Sequence, residues 1–338
     1  FDHGGNVVAA PSTADPKIVD NTSVGFPAGM KFNALHASLI PKGPHQGHVL
    51  VWDHIHYPET ATTGWANQTR VFRYSIVDPN SNPPRFWNHA EALPYGVGDL
   101  FCAGHTWNLN GDLVIVGGTK AHWIHPNPAG GAKFALVWEP PTSLGVMPQL
   151  KPVRLWNSTT AWPLEKDRWY PTAINLLPTA GPLQDGIMVL GGTDTGTEIN
   201  SYQIWVPHLT YVGGQWHEIN GVREWPGPSG AQFQLGDYPR AHCLTDNRVV
   251  TSGFKIGSAR GDHSAVGQSQ HWYTHNTSNV PWQPWHMSNA RIYGSSWLMP
   301  IQASVSGVPA TANRIAALGG ITATGNGTIL DGPTRVHR

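Results

Sequence analysis

The sequence predicts an all-β chain built on a repeated hairpin, and three observations carry that prediction. Helical periodicity is missing, because 38 Gly and 29 Pro in 338 residues interrupt nearly every window long enough for three turns. Short runs rich in β-branched and aliphatic residues recur in its place. Several of those runs end in a glycine pair.

The runs are residues 48–52 (HVLVW), 113–116 (LVIV), 187–190 (IMVL), 248–250 (RVV) and 314–318 (RIAAL). Gly117-Gly118, Gly191-Gly192 and Gly319-Gly320 close three of them, with Ser252-Gly253 as a degenerate version. An apolar segment and a turn come before each run, as in 36–41, 105–111 and 293–300. Aligned on the residue that opens each turn (Pro41, Leu109, Leu177, Thr245, Pro300) and stepped back seven places, the hairpins meet at Ala34, Cys102, Tyr170, Tyr238 and Tyr293. These positions are 68, 68, 68 and 55 residues apart. A fixed period with a shared hairpin marks a repeat architecture. A lone four-stranded sheet cannot bury both faces, so the repeat reads as a β-propeller whose blades stack on their neighbours. Glycine pairs suit places where backbones pass too closely for a Cβ, and the 16 Trp would fill the wedges between blades.

Composition bounds the function. Lys+Arg and Asp+Glu both number 21, so the formal charge is zero, and no basic run exists to follow a phosphate backbone. Nucleic acid is therefore not an expected partner. No apolar stretch is long enough for a helical membrane span. The chain begins at Phe1, which suggests removal of a leader or a longer precursor. Sequons at Asn21, Asn67, Asn157, Asn276 and Asn326 fit a secreted glycoprotein. Cys102 and Cys243 are too few for a disulfide scaffold. Residues 1–338 are read as one domain.

The segment 99–105 (DLFCAGH), followed by Gly111 and the Gly117-Gly118 pair, and the segment 168–172 (RWYPT) resemble signatures of the galactose oxidase and glyoxal oxidase family. With 238–242 (YPRAH) and 293–295 (YGS), the order and spacing are similar to secreted galactose-oxidase-like kelch proteins. The resemblance spans roughly Ala34 to Gly320. It implies a kelch-type β-propeller with five recognisable blades, or a seven-bladed ring cut short if the chain is truncated. In the second case the last blades and the C-terminal immunoglobulin-like domain of the family are missing.

In catalytic members of that family a cysteine is joined by a thioether to a tyrosine that ligates copper and carries a radical. A Tyr-His pair and a histidine from the C-terminal domain complete the site. Carried over, Cys102 and Tyr170 match the cross-linked pair, and Tyr293 is the candidate for the second tyrosine, the other reading being that the true Tyr-His repeat follows Arg338. Gly294 stands where the adjacent histidine should be, and no C-terminal domain supplies the last one. At most two of four ligand positions are filled, so copper is implied only with an incomplete set.

The residues also have plainer readings. Cys102 is cross-linked to Tyr170, paired with Cys243, or buried as a small hydrophobe. Tyr170, Tyr238 and Tyr293 share one repeat position and are expected to be structural residues lining the axial channel. His105 and His242 lie on inner strands and are the better candidates for a different metal site. His45, His48, His54 and His56, with His122 and His125, read as solvated loop histidines, although His54 and His56 alternate on a strand-like run able to present both to a divalent metal. Arg260-Gly261-Asp262 reads as chance, and Trp282 and Trp285 as wedge packing or a sugar-stacking surface. The function these residues imply is an extracellular, non-catalytic binding or structural module whose partner is carbohydrate or another extracellular protein. The alternative is a copper radical oxidase turning an alcohol or aldehyde and O2 into H2O2, and a further one is a lectin-like propeller.

Overall fold

The structure is a computed structural model that describes residues 34–53, 71–93 except 83, 98–120, 130–143, 148–155, 163–177, 186–205, 235 and 237–244, together with the later strands named below. All the regular structure among the described residues is β. By contacts the chain divides into two compact units, Phe1–Leu93 with Pro140–Pro148, and Pro94–Glu139 with Gln149–Arg338.

The first unit holds one antiparallel sheet in the order β1 (His36–Leu39), β2 (Val49–Trp52), β3 (Val71–Asp78), β4 (Arg85–Ala92). Its register sets His36 opposite Trp52, Trp52 opposite Tyr74, and Tyr74 opposite His89. Residues opposite one another share a face, and two stacks result: His36 on Trp52 with centroids 5.0 Å apart, and His89 on Tyr74 at 5.0 Å. Arg73 belongs to the opposite face, one residue out of that phase. Its guanidinium meets Asp53 at 2.8 Å, and both side chains are buried.

The second unit repeats that plan. One sheet takes β5 (Gly104–Trp107), β6 (Leu113–Val116), β7 (Ala135–Glu139) and β8 (Gln149–Leu155). The next takes β9 (Thr172–Asn175), β10 (Ile187–Leu190), β13 (Ser201–Trp205) and β16 (Arg223–Pro226), with the short hairpin β11 (Thr193–Asp194) and β12 (Thr197–Glu198) beside it. The hairpin β14 (Leu209–Val212) and β15 (Gln215–Glu218) leaves that sheet, and β15 adds to β8 in parallel. Then come β17 (Arg240–Cys243), β18 (Arg248–Ser252), β19 (Gln268–Tyr273) and β20 (Gln283–His286). The last sheet joins β21 (Ser295–Leu298), β22 (Ile315–Leu318) and β25 (Arg335–His337), and β23 (Ile321–Ala323) pairs with β24 (Ile329–Asp331).

Within this unit β9 packs against both β5 and β17, and β17 packs against β21. First strands side by side, with later strands stepping outward, are the arrangement of propeller blades. The five hairpins expected from the sequence fall on β1–β2, β5–β6, β9–β10, β17–β18 and β21–β22.

Strand β10 shows how the sequence builds this packing. All four of its residues are buried. Ile187 and Val189 enter one core with Val114, Val116, Val137 and Ala173. Met188 and Leu190 enter another with Leu176, Tyr202, Ile204 and Val249. The period of two therefore feeds two cores, one on each face of the sheet. That is why IMVL is apolar without alternation.

The glycine pair after β6 behaves as its sequence predicts. Gly117 has φ 68° and Gly118 φ 107°. A Cβ on Gly117 would lie 2.5 Å from the Arg168 carbonyl oxygen, and one on Gly118 2.4 Å from that of Asp99. Gly118 N–H also donates to the Arg168 carbonyl at 2.9 Å.

Candidate functional site

Three turns come together where the first strands of successive blades begin. Asp99 Oδ1 accepts the Phe101 N–H at 2.9 Å, and Ala103 N–H donates to the Leu100 carbonyl at 3.1 Å. That closes a turn with Cys102 at its third position and φ 59°. Such a position favours Gly, because a Cβ there costs about 1–2 kcal/mol. Tyr170 (φ 59°) and Tyr238 (φ 47°), one and two repeats later, share the conformation. The backbones form a relay: Tyr170 N–H donates to the Cys102 carbonyl at 3.0 Å, and Tyr238 N–H to the Tyr170 carbonyl at 2.7 Å.

The side chains cluster as well. Trp169 stacks on Tyr170 with centroids 4.6 Å apart and planes 17° apart, and Tyr238 meets Tyr170 edge-on at 5.4 Å. Burial pushes the Cys102 thiol up to about 12, against the opposing effect of hydrogen bonds with Tyr170, Tyr238 and Trp169. The Trp169 contribution is the weakest geometrically, since its indole Nε1 meets no partner at hydrogen-bond distance. Tyr238 exposes 40% of its surface, yet burial of the phenol, reinforced by Cys102, holds its ionisation well above the usual value. At neutral pH the cluster is a protonated thiol among protonated donors.

Arg168 anchors this group from behind. It is fully buried, and its guanidinium donates to the Gly191 carbonyl at 2.6 Å, the Ser201 carbonyl at 3.2 Å and Ser201 Oγ at 3.1 Å. Its backbone and that of Trp169 pair with Ala132 and Thr193. Residues 168–170 are thus pinned on both sides.

The sequence-predicted residues divide accordingly. Cys102 and Tyr170 stand together. Tyr293 lies outside the described residues, as do all five sequons, His54, His56, His122, His125 and Arg260 to Asp262; the side chains of Trp282 and Trp285 also lie outside the description. His105 is half-buried on β5 opposite Ile115. His242 is on β17 beside Arg240, on the face opposite Ala241 and Cys243 by strand alternation. Cys243 packs against the core around Leu176 and Met188, and its thiol donates to the Leu244 carbonyl at 3.6 Å. Both cysteines are free, which sets aside the disulfide between them. The solvated-loop reading of His45 is corrected too: it is buried, and Asp78, distant in sequence, lies beside His48.

The repeat spacing was the signal for Tyr238, which falls in step with Cys102 and Tyr170. Arg168 and Trp169 entered only as part of the RWYPT segment and without a role of their own, because a buried Arg bonding to carbonyls leaves no trace in composition.

His242 makes a measurable prediction. Burial, then the Arg240 charge, lowers its pKa to about 4 from an ordinary 6.5. The folded state binds this proton more weakly than the unfolded one. The neutral ring's stability is therefore fully present above about pH 6.5 and lost as pH falls toward 4. Urea unfolding at pH 7 and pH 4.5 will show wild type losing about 2 kcal/mol more than His242→Gln over that interval.

The described donors do not fit copper. Around Cys102 stand two phenols and an indole, and among the described residues no imidazole joins these contacts. Among the described residues, no group of three or more His, Cys, Asp or Glu could hold a metal ion. Beside His242, the Arg240 guanidinium opposes a cation.

No family model matches the chain, and no curated protein matches it. Among solved structures, the chain is similar to a fungal alcohol oxidase of the AA5 family in complex with copper, at 14% identity and TM-score 0.44. The match covers 90% of this chain and 66% of that one, so the chain spans just under two thirds of its length.

Proposed function

We propose that the chain is a galactose-oxidase-like, kelch-type propeller that acts outside the cell as a non-catalytic binding or structural module. The observation that carries this reading is the shared geometry of Cys102, Tyr170 and Tyr238. All three take the same left-handed conformation and join one backbone relay. The strain therefore belongs to the repeat's turn, and the thiol and phenols close the rim of adjoining blades. Gly294, in place of the histidine that the oxidase pattern requires, agrees with this. Carbohydrate or another extracellular protein is the partner class.

A second reading, a copper radical oxidase with a Cys102–Tyr170 thioether, is favoured by the contact of the Cys102 thiol with Tyr170. Thiol titration separates the two. In a Cys243→Ser chain, a buried thiol with its pKa near 12 stays unreactive toward a disulfide reagent at pH 8. It then yields one equivalent in denaturant. No thiol in the denatured chain would mean that the sulfur is already bonded, and would overturn the non-catalytic reading.

A further inference from the structure

We propose that His45 and His48, in the β1–β2 turn, form a binding site for a borderline divalent cation such as Zn2+. The inference is independent of the cluster at Cys102. The two Nδ1 atoms lie 3.1 Å apart. Two imidazole nitrogens on one tetrahedral zinc, at bond lengths of about 2.0–2.1 Å, stand about 3.3 Å from each other. The turn therefore already holds both donors close to the spacing of adjacent ligands.

The surroundings prepare each ring. Asp78 Oδ1, at the end of β3, stands 3.8 Å from His48 Nε2. A carboxylate behind an imidazole fixes the proton on that nitrogen and frees the other for a metal. A proton on His48 Nε2, facing Asp78, leaves its Nδ1 as the acceptor of the His45 Nδ1–H; the opposite tautomers reverse the two roles. Trp87 of β4 holds both rings, stacked on His48 at 5.2 Å and edge-on to His45 at 4.9 Å. Burial and the neighbouring His48 keep His45 neutral, as a ligand must be.

The other titratable groups nearby are His89, whose own protonation is opposed by burial and then by His45 and which stacks on Tyr74, and Arg85, opposite Asp78 in the register. No third protein donor joins the pair among the described residues, so water fills the remaining positions. Cation binding replaces the Nδ1–H···Nδ1 bond: both Nδ1 lone pairs turn to the metal, and the displaced proton is carried by solvent to Nε2 of the same ring, so both ligands stay neutral and no net proton is released.

Calorimetric titration of the full chain with Zn2+, in two buffers of different ionisation heat, tests this. The expected result is a one-site isotherm whose heat is the same in the two buffers at neutral pH, since two neutral imidazoles bind the metal without net proton release. His45→Ala and His48→Ala should each abolish that isotherm, and Asp78→Asn should weaken it about tenfold. Cys102→Ser should leave it intact. If either alanine variant misfolds, long-range ring 15N spectra of wild type serve in its place, with the Zn2+ shifts expected on the Nδ1 atoms of two histidines coupled to each other. No binding by wild type, an unchanged isotherm in both alanine variants, or shifts confined to other histidines would overturn the proposal.

Discussion

Replacing Arg168 by alanine lowers the unfolding free energy by about 3–5 kcal/mol, measured by urea denaturation. The side chain is 0% exposed and serves three acceptors, the Gly191 and Ser201 carbonyls and Ser201 Oγ. Truncation takes the guanidinium away from those acceptors, of which the Ser201 carbonyl keeps the Gly191 N–H, and opens a buried cavity. Arg168→Lys keeps the charge but not the planar fork, and recovers less than half of the loss. Because residues 169 and 170 follow directly in the chain, the near-ultraviolet circular dichroism of the Trp169–Tyr170 stack should weaken in parallel. A loss below about 1 kcal/mol would mean that the three bonds are replaced by water at little cost.

Gly117→Ala is expected to cost about 3 kcal/mol, on two separable grounds. The φ of 68° strains any L residue, and the new Cβ would stand 2.5 Å from the Arg168 carbonyl oxygen and 2.8 Å from Pro171 Cγ. Gly47 provides the control. Its φ is 83°, but nothing lies within 4 Å of a Cβ there. Gly47→Ala therefore reports the conformational part alone, about 1 kcal/mol. The difference between the two variants measures how tightly β6 and the turn before β9 are pressed together. Equal losses would mean that the backbone yields to the methyl group.

The hairpins were legible because each pairs locally, and because LVIV and IMVL have no polar residue to place in water. The 68-residue period located Cys102, Tyr170 and Tyr238 at equivalent points, which is the candidate site. What the sequence concealed depends on long-range contact. Strand β15 joins β8 in parallel across more than sixty residues of chain, and no local pattern announces that pairing. The role of Arg168 is set by carbonyl acceptors 23 and 33 residues away along the chain. His45 looks like one of several loop histidines, and only folding sets Asp78 and Trp87 around the turn that it shares with His48.

The proposed non-catalytic reading, with a thiol among phenols and no imidazole beside it among the described residues, has the cysteine stay a thiol and leave oxygen alone. The most direct measurement is aerobic loading of the full chain with Cu2+, followed by intact mass and a peroxide assay across primary alcohols and aldehydes. The account predicts an unchanged mass and no H2O2. The loss of two hydrogen atoms, localised to the peptides carrying Cys102 and Tyr170, together with substrate-dependent peroxide, would contradict it.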